Sequence, residues 1–365
     1  MWEIATGRCF RRFQVAAIVM CVQWNPNPDM PLLVIAAGTR VVLAIALPED
    51  QRSEELKAVL ESYQADAKAR REQELLEEEG DKPKKPVKAK WVAHSLPLKA
   101  SAEDAKWDEV EARNKSDDSE DEKQKEEEEE EEEENPLVDG LLAEGHVLCV
   151  ETQRTVKMVT WHAKGDYFSS CDSSGTSSSV LIHRLSHQQS QAPFTKTKGE
   201  VQHVLFHPTK PMFFVTTKQN VRVYNLVKQE LVKKLLFGGK WISSVSLHSN
   251  GDHLICGSFD CKVSWFDLDL SVKPFKTVKY HKMAVRSVGF HPRYPLFASG
   301  SDEGKLHVFH GRVYNDLVTN PLIVPVKIID GHQPVKGIGV MSVVWHPQQP
   351  WLFSAGADRL IHMYT

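Results

Sequence analysis

The chain has 365 residues, of which 41% are hydrophobic and 26% are charged, as expected for a soluble protein with a substantial core. Its six cysteines are scattered without a CxxC pair, which excludes the usual zinc-ligand spacing and favours reduced, buried thiols in an intracellular protein. The N-terminus has no apolar stretch behind a basic start, so the sequence predicts no secretory signal peptide.

The charge is unevenly distributed along the chain. The formal net charge is only −4, yet residues 49–145 carry 33 acidic and 16 basic side chains, a net of −17. The remaining residues carry a net of +13. An acidic insertion therefore interrupts a basic body, and a basic surface favours polyanionic partners, nucleic acid first among them.

The first predicted element is residues 2–9, which have the pattern of the third strand of a repeat whose earlier strands are absent. Residues 30–47 are then long and apolar enough to resemble a membrane span. Arg40, however, lies at the centre beside Gly38 and Thr39, where a bilayer would strongly disfavour its charge. The sequence therefore predicts two short strands around a Gly-Thr turn, and no membrane contact.

An insertion of residues 49–145 follows the third strand of a repeat. Its first part, residues 53–79, consists of strong helix formers with apolar residues at helical spacing. Residues 82–90 then contain five lysines and two prolines, a pattern that fits either a nuclear-import patch or a solvated linker.

The last part of the insertion, residues 117–134, is almost wholly acidic and includes nine consecutive glutamates. Such a block repels itself and cannot bury a core, so it is predicted to be disordered. Ser116 and Ser119 are each followed by acidic residues, which makes them candidate phosphorylation sites for an acid-directed kinase.

Six segments of the chain share one pattern, an alternating apolar run that ends in an aromatic residue or leucine followed by His or Asn. Each is followed by a polar turn, a second apolar strand, a short turn and a third alternating strand. Four successive terminal positions lie 45, 41 and 43 residues apart, which is the period of a four-stranded propeller blade. The six positions are Trp24, Trp161, Phe206, Leu247, Phe290 and Trp345.

These segments match a degenerate WD repeat. The Trp-Asp dipeptide occurs as Phe266-Asp267 and Phe309-His310, and the Gly-His opening occurs as Gly331-His332. The sequence predicts an all-β, seven-bladed WD-repeat β-propeller whose first blade is incomplete. Residues 1–48 would contain the tail of the first blade and the second blade, residues 49–145 the insertion, and residues 146–365 the other five blades of the same propeller.

Two sets of His, Ser and Asp occupy equivalent positions of successive repeats and resemble hydrolase triads or metal sites. Because a catalytic nucleophile would be unique rather than repeated, the pattern favours buried hydrogen-bond networks that tie each turn to the strands. With no phosphate loop, dinucleotide fingerprint or nucleophile elbow, the sequence predicts no enzyme, no metal site and no cofactor. The two sets are His281, Ser299 and Asp302, and His332, Ser354 and Asp358.

Basic residues accumulate in the loops before each first strand and between the second and third strands. These loops share one face of a propeller, where their attraction to phosphates or to an acidic partner would add up. We therefore expect a basic rim that binds RNA or a protein partner. Its nine members are Lys198, Lys218, Lys240, Lys262, Lys282, Arg286, Lys305, Lys336 and Arg359.

The repeats, the acidic insertion and the long connection over residues 310–332 together resemble the C-terminal propeller of the block-of-proliferation ribosome-biogenesis family of eukaryotes. The resemblance spans the whole chain, and the connection is its most distinctive piece. It implies a scaffold in the nucleolus and nucleoplasm that supports rRNA processing and large-subunit maturation. The implied partners are a second WD-repeat protein, pre-ribosomal RNA and pescadillo, the last held by a region N-terminal to the propeller. The alternative is a substrate-recognition propeller, either a ubiquitin-ligase adaptor or a phosphopeptide reader.

Overall fold

The computed structural model describes residues 17–45, 89–95, 146–175, 179–194, 199–314 and 322–365, with separate helical positions at Ala58, Val59, Ser62, Ala65 and Ala69. The regular structure in the continuous ranges is β-strand, arranged in six antiparallel sheets. The predicted strand over residues 2–9, the acidic run, Ser116 and Ser119 lie outside the described residues. The seventh blade therefore stays a prediction.

The first three sheets in chain order lie between residues 19 and 236. The first contains β1 (Val19–Trp24), β2 (Leu32–Ala37), β3 (Arg40–Ile45), β4 (Ala89–Ser95) and β5 (His146–Thr152). The second contains β6 (Met158–Trp161), β7 (Tyr167–Cys171), β8 (Val180–Arg184) and β9 (Gln189–Gln191). The third contains β10 (Val201–Phe206), β11 (Met212–Thr217), β12 (Asn220–Asn225) and β13 (Glu230–Leu236).

The other three sheets follow in the same order. The fourth contains β14 (Ile242–Leu247), β15 (His253–Ser258), β16 (Val263–Asp267) and β17 (Lys276–Val278). The fifth contains β18 (Val285–Phe290), β19 (Leu296–Ser301), β20 (Lys305–Arg312) and β21 (Leu322–Asp330). The sixth contains β22 (Val340–Trp345), β23 (Leu352–Gly356) and β24 (Ile361–Tyr364). In the second to sixth sheets, sequence neighbours pair in turn, the meander expected of propeller blades.

A buried apolar cluster lies between each sheet and the next along the chain. The terminal residues of the repeat pattern contribute to these clusters, as when Trp345 of the sixth sheet packs beside Ala298 and Leu306 of the fifth. Trp345 Nε1 also donates to the carbonyl of Gly289 at 3.0 Å. Each repeat therefore buries its apolar side on the preceding one, which confirms the propeller architecture.

The apolar run over residues 30–47 forms the hairpin of β2 and β3, as predicted, with Gly38 at a φ of +58° in its turn. The left-handed conformation of this residue suits glycine. Within the described part of the chain, no helix is long and apolar enough to cross a membrane.

The insertion contributes a strand to the first sheet, which the sequence did not predict. The sheet order is β1-β2-β3-β5-β4, so β5 is the fourth strand and β4 a fifth outside it. Lys90 of the predicted import patch or linker lies in this strand. The half-buried Trp91 reaches the second sheet, where its Nε1 donates to Oγ of Ser190 at 2.9 Å. The insertion therefore lies between the third and fourth strands of the first sheet. Its own strand, β4, forms the outer edge of that sheet.

Candidate binding rim

Eight of the nine predicted rim cations lie in described loops or at strand ends on the expected face, and Lys198 lies outside the described residues. Lys218 and Lys262 lie in the β11–β12 and β15–β16 turns, and Lys240 precedes β14. Lys282 precedes β18, and Arg286 is the second residue of that strand. The remaining three, Lys305, Lys336 and Arg359, belong to the fifth and sixth repeats.

Three of these cations form ion pairs that the sequence did not predict. Lys218 Nζ lies 2.6 Å from Oε2 of Glu200, and Lys305 Nζ lies 3.1 Å from Oδ1 of Asp330. Arg286 pairs with the buried carboxylate of Asp302. A paired cation offers less net charge to a phosphate, so counting basic residues overstates the charge of the rim. Among the described residues, Lys240, Lys262, Lys282, Lys336 and Arg359 have no ion pair.

Two aromatic side chains lie among these cations, and sequence reasoning missed both. Trp241 is 40% exposed and Phe259 is 36% exposed, and their rings meet edge to face with centroids 5.3 Å apart. Lys218 Nζ lies 4.4 Å from the centroid of the Trp241 ring, and the Arg286 guanidinium lies 5.5 Å from that of Phe259. We call Lys218, Trp241, Phe259 and Arg286 the aromatic patch. The sequence signal that could have identified Trp241 is its position directly after the rim residue Lys240.

The predicted His-Ser-acid networks form, with one correction. Nε2 of His281 lies 2.7 Å from Oγ of Ser299, but Nδ1 lies 2.9 Å from Oε1 of Glu303, not of Asp302. Asp302 instead turns to Arg286, so two adjacent acidic residues serve two different partners. In the sixth sheet the predicted trio is intact, because His332 contacts Ser354 at 2.7 Å and Asp358 at 2.9 Å.

The protonation state of the His281 network follows from its surroundings. Burial lowers the pKa of His281 against the opposing effect of Glu303, so its imidazole is neutral near pH 7. Burial also opposes ionisation of Glu303, but hydrogen bonds from His281, Lys282 and Ser301 lower its pKa overall. The carboxylate can only accept, so Nδ1 of His281 donates to it and Nε2 accepts the Ser299 hydroxyl proton.

This geometry resembles a hydrolase triad, but its accessibility does not fit one. Ser299 is fully buried and Ser354 is 1% exposed, whereas a nucleophile has to meet its substrate. The same arrangement occurs in two successive blades. The two networks therefore fasten turns to strands, and we assign neither a catalytic role.

The same two places contain groups of residues that could ligate a metal ion, within the described part of the chain. His281, Glu303 and His307 form one group, and His332, Asp358 and His362 form the other, with ligand atoms within 4.8 Å of one another in each. Both ring nitrogens of His281 and of His332 already have hydrogen-bond partners. A metal ion would have to break one of these bonds, so we read both groups as networks.

A second set of histidines lies at the ends of first strands on the opposite face. Nδ1 of His207 accepts the backbone N–H groups of Thr209 and Lys210 at 3.1 and 2.9 Å. Equivalent bonds to the backbone two or three residues on are made by His162, His248, His291 and His346. Nδ1 accepts hydrogen bonds in this second set, whereas Nδ1 of His281 and of His332 donates to a carboxylate. The repeated His therefore shapes the turn that follows each of these first strands.

The comparisons with known proteins agree with this fold. The model of the WD domain, G-beta repeat family matches residues 230–267, 272–310 and 323–365. Ribosome biogenesis protein bop1-A of Xenopus laevis is 43% identical over 365 residues, which cover the whole of this chain and 42% of that protein. The BOP1 homolog of Drosophila sechellia is 42% identical over 369 residues, covering all of this chain and 40% of that protein. The chain belongs to the BOP1 family of WD-repeat proteins.

The chain spans about two fifths of the length of these BOP1 relatives. What the whole relatives do is therefore transferred to it only as a proposal. The names of these relatives state ribosome biogenesis and mention neither partners nor RNA. Within the BOP1 alignment, the insertion and the long connection before β22 are both covered, since the match runs from end to end.

Proposed function

We propose that this chain is a non-enzymatic scaffold of ribosome biogenesis that acts in the nucleolus and nucleoplasm. It binds pre-ribosomal RNA through the basic rim and a second WD-repeat protein during rRNA processing and maturation of the large subunit. Pescadillo binds, in this proposal, through a region N-terminal to the propeller. The observation that carries the proposal is the end-to-end match to ribosome biogenesis proteins, combined with a face whose loops present unpaired cations.

Three lysines of the rim support RNA binding in this proposal. Lys240 and Lys282 are exposed, Lys262 is half-buried, and none of the three forms an ion pair with a described residue. Each phosphate that a lysine neutralises releases counterions, so the logarithm of the binding constant should fall linearly with the logarithm of the salt concentration. A slope of several units would distinguish a multi-lysine phosphate contact from a single chance contact.

The test replaces Lys240, Lys262 and Lys282 together by Glu and measures binding to structured RNA over a range of salt concentrations. We expect a large loss of affinity and a shallower salt dependence, because three phosphate contacts are removed. The matched control replaces Lys164, Lys228 and Lys273 by Glu, since these are exposed lysines in turns on the opposite face. Equal losses of RNA affinity in the rim variant and the control variant would contradict a specific role of the rim. Unchanged RNA binding in the rim variant would contradict it as well.

The protein partner is tested separately. Affinity purification of the chain, with and without residues 49–145, should recover a second WD-repeat protein and pre-60S RNA. Recovery of acidic or phosphorylated peptides in their place would favour the substrate-recognition alternative.

A further inference from the structure

The aromatic patch brings together side chains from three consecutive repeats. Lys218 belongs to the third sheet, Trp241 and Phe259 to the fourth, and Arg286 to the fifth. Two backbone hydrogen bonds fix this arrangement, from Phe259 N–H to the carbonyl of Trp241 at 3.1 Å and from Ile242 N–H to that of Lys218 at 2.8 Å. The patch is therefore held by strand starts and turns of the propeller itself.

Three unpaired lysines flank the two rings. The N–H of Lys240 donates to Oδ2 of Asp260 at 2.7 Å, which fixes this lysine against the turn that carries Phe259. Lys262 lies in that same turn. Lys282 lies beside it, because Cys261 Sγ of the turn donates to the carbonyl of Lys282 at 3.5 Å. The patch thus has exposed aromatic rings at its centre and three lysine ammonium groups without ion pairs around them, although the carboxylates of Asp260 and Glu303 lie close by.

This combination matches the chemistry of an unpaired nucleotide. Sites for single-stranded nucleic acid join aromatic side chains, on which bases stack, to cations that track the phosphates. A base within a duplex is already stacked and cannot lie on a protein ring. The Lys218 ammonium covers part of the indole, but its side chain is 37% exposed, and an exposed cation–π contact is weak beside base stacking. An incoming phosphate can draw this ammonium off the ring.

We propose that Trp241 and Phe259 form a stacking platform for the unpaired bases of single-stranded RNA, and that Lys240, Lys262 and Lys282 bind the adjoining phosphates. This inference rests on the proposed function, because it assumes that the rim meets RNA. It adds to the proposed function that the RNA bound is single-stranded and that Trp241 and Phe259 select this form. The rim then prefers single-stranded segments to continuous duplex.

The experiment measures fluorescence anisotropy of a labelled single-stranded RNA of about 12 nucleotides, and of a duplex of the same length, over a range of salt concentrations. For Trp241→Ala, we expect a loss of affinity of roughly 5- to 150-fold for the single strand, with an unchanged salt slope, because stacking involves no phosphate. The duplex affinity should stay the same. Trp241→Phe should retain most of the binding.

Two further variants separate stacking from folding. Trp241→Leu keeps apolar bulk at the site but removes the π face, so it should lose affinity as Trp241→Ala does while retaining the wild-type melting temperature. Trp24→Ala is the matched control, since Trp24 is 51% exposed at the end of β1 on the opposite face. It should bind RNA like the wild type.

The outcomes distinguish the two proposals. If the wild-type chain shows no salt-dependent RNA binding, the proposed function fails, and the platform fails with it. If the rim lysines matter but Trp241→Ala and Trp241→Leu bind the single strand like the wild type, only the platform is overturned. Equal losses for single strand and duplex would also overturn it.

Discussion

The indole N–H of Trp91 donates to the hydroxyl of Ser190 at 2.9 Å and so joins a strand of the insertion to the second repeat. Ser190 Oγ also lies 2.8 Å from Nδ1 of the fully buried His183, whose Nε2 lies 2.8 Å from Oγ of Ser170. The Trp91 ring contacts that of Phe168 at 6.0 Å between centroids. A strand contributed by the insertion is therefore part of the blade-to-blade contact.

We first predict that Trp91→Phe destabilises the propeller by about 1 kcal/mol, because it removes one hydrogen-bond donor and keeps most of the apolar contact. Urea-induced unfolding measures the loss. Trp24→Phe is the control, since Trp24 is exposed at the end of its strand. If the two variants were equally stable, the hydrogen bond from Trp91 to Ser190 would not contribute to the stability of the propeller.

The second prediction concerns the two adjacent acids of the fifth repeat. His281 contacts Glu303 and not Asp302, so a double-mutant cycle between His281→Ala and Glu303→Ala should give a coupling free energy of about 1–2 kcal/mol. The cycle between His281→Ala and Asp302→Ala should give a value near zero. Chemical unfolding of the single and double variants supplies both numbers. A larger coupling to Asp302 would show that the pairing is reversed.

The third prediction is acid sensitivity caused by buried histidines. Burial lowers the pKa of His183 to about 3, and burial together with smaller charge effects lowers that of His307 to about 4. These folded values lie below the unfolded value near 6.5, so the unfolded chain binds more protons and stability rises with pH. The stabilisation is complete above about pH 6.5 and is lost as the pH falls towards the folded pKa values.

His183 alone should contribute a slope of about 1.4 kcal/mol per pH unit between roughly pH 6 and 4. Unfolding midpoints measured from pH 7.5 to 5 test this expectation. Replacing the buried His183 by Gln should make the slope shallower. A pH-independent midpoint in the wild-type chain would contradict the burial argument.

The fourth prediction compares two glycines with left-handed backbone conformations. Gly251 has a φ of +86°, and a Cβ atom there would lie 2.2 Å from Cε1 of the His207 ring. Gly238 has a φ of +70°, but a Cβ atom there would meet nothing within 4 Å. Gly238→Ala should therefore cost only the backbone strain, about 1–2 kcal/mol.

Gly251→Ala should cost roughly 1–3 kcal/mol more than Gly238→Ala, because it also displaces an imidazole that caps the β10–β11 turn. Unfolding free energies of the two variants, measured under the same conditions, give this difference directly. Equal costs would indicate that the His207 ring moves aside freely.

The sequence by itself determined the features that depend on local period and turn chemistry. Alternation between apolar and polar residues predicted the strands, and the recurrence of the Trp161 and Phe206 positions predicted the blades. Repetition also showed that the His-Ser sets are structural, and the Gly-Thr step at residues 38–39 marked a hairpin rather than a membrane span. Each of these signals is contained in a short stretch of chain.

Tertiary structure alone decided which partner each side chain meets. Asp302 and Glu303 are adjacent and chemically alike, and only the direction of each side chain in the folded turn sends one to Arg286 and the other to His281. The ion pair of Lys218 and its contact with Trp241 likewise form between different segments. Such contacts depend on how the sheets pack in three dimensions, which the local pattern of residues does not encode.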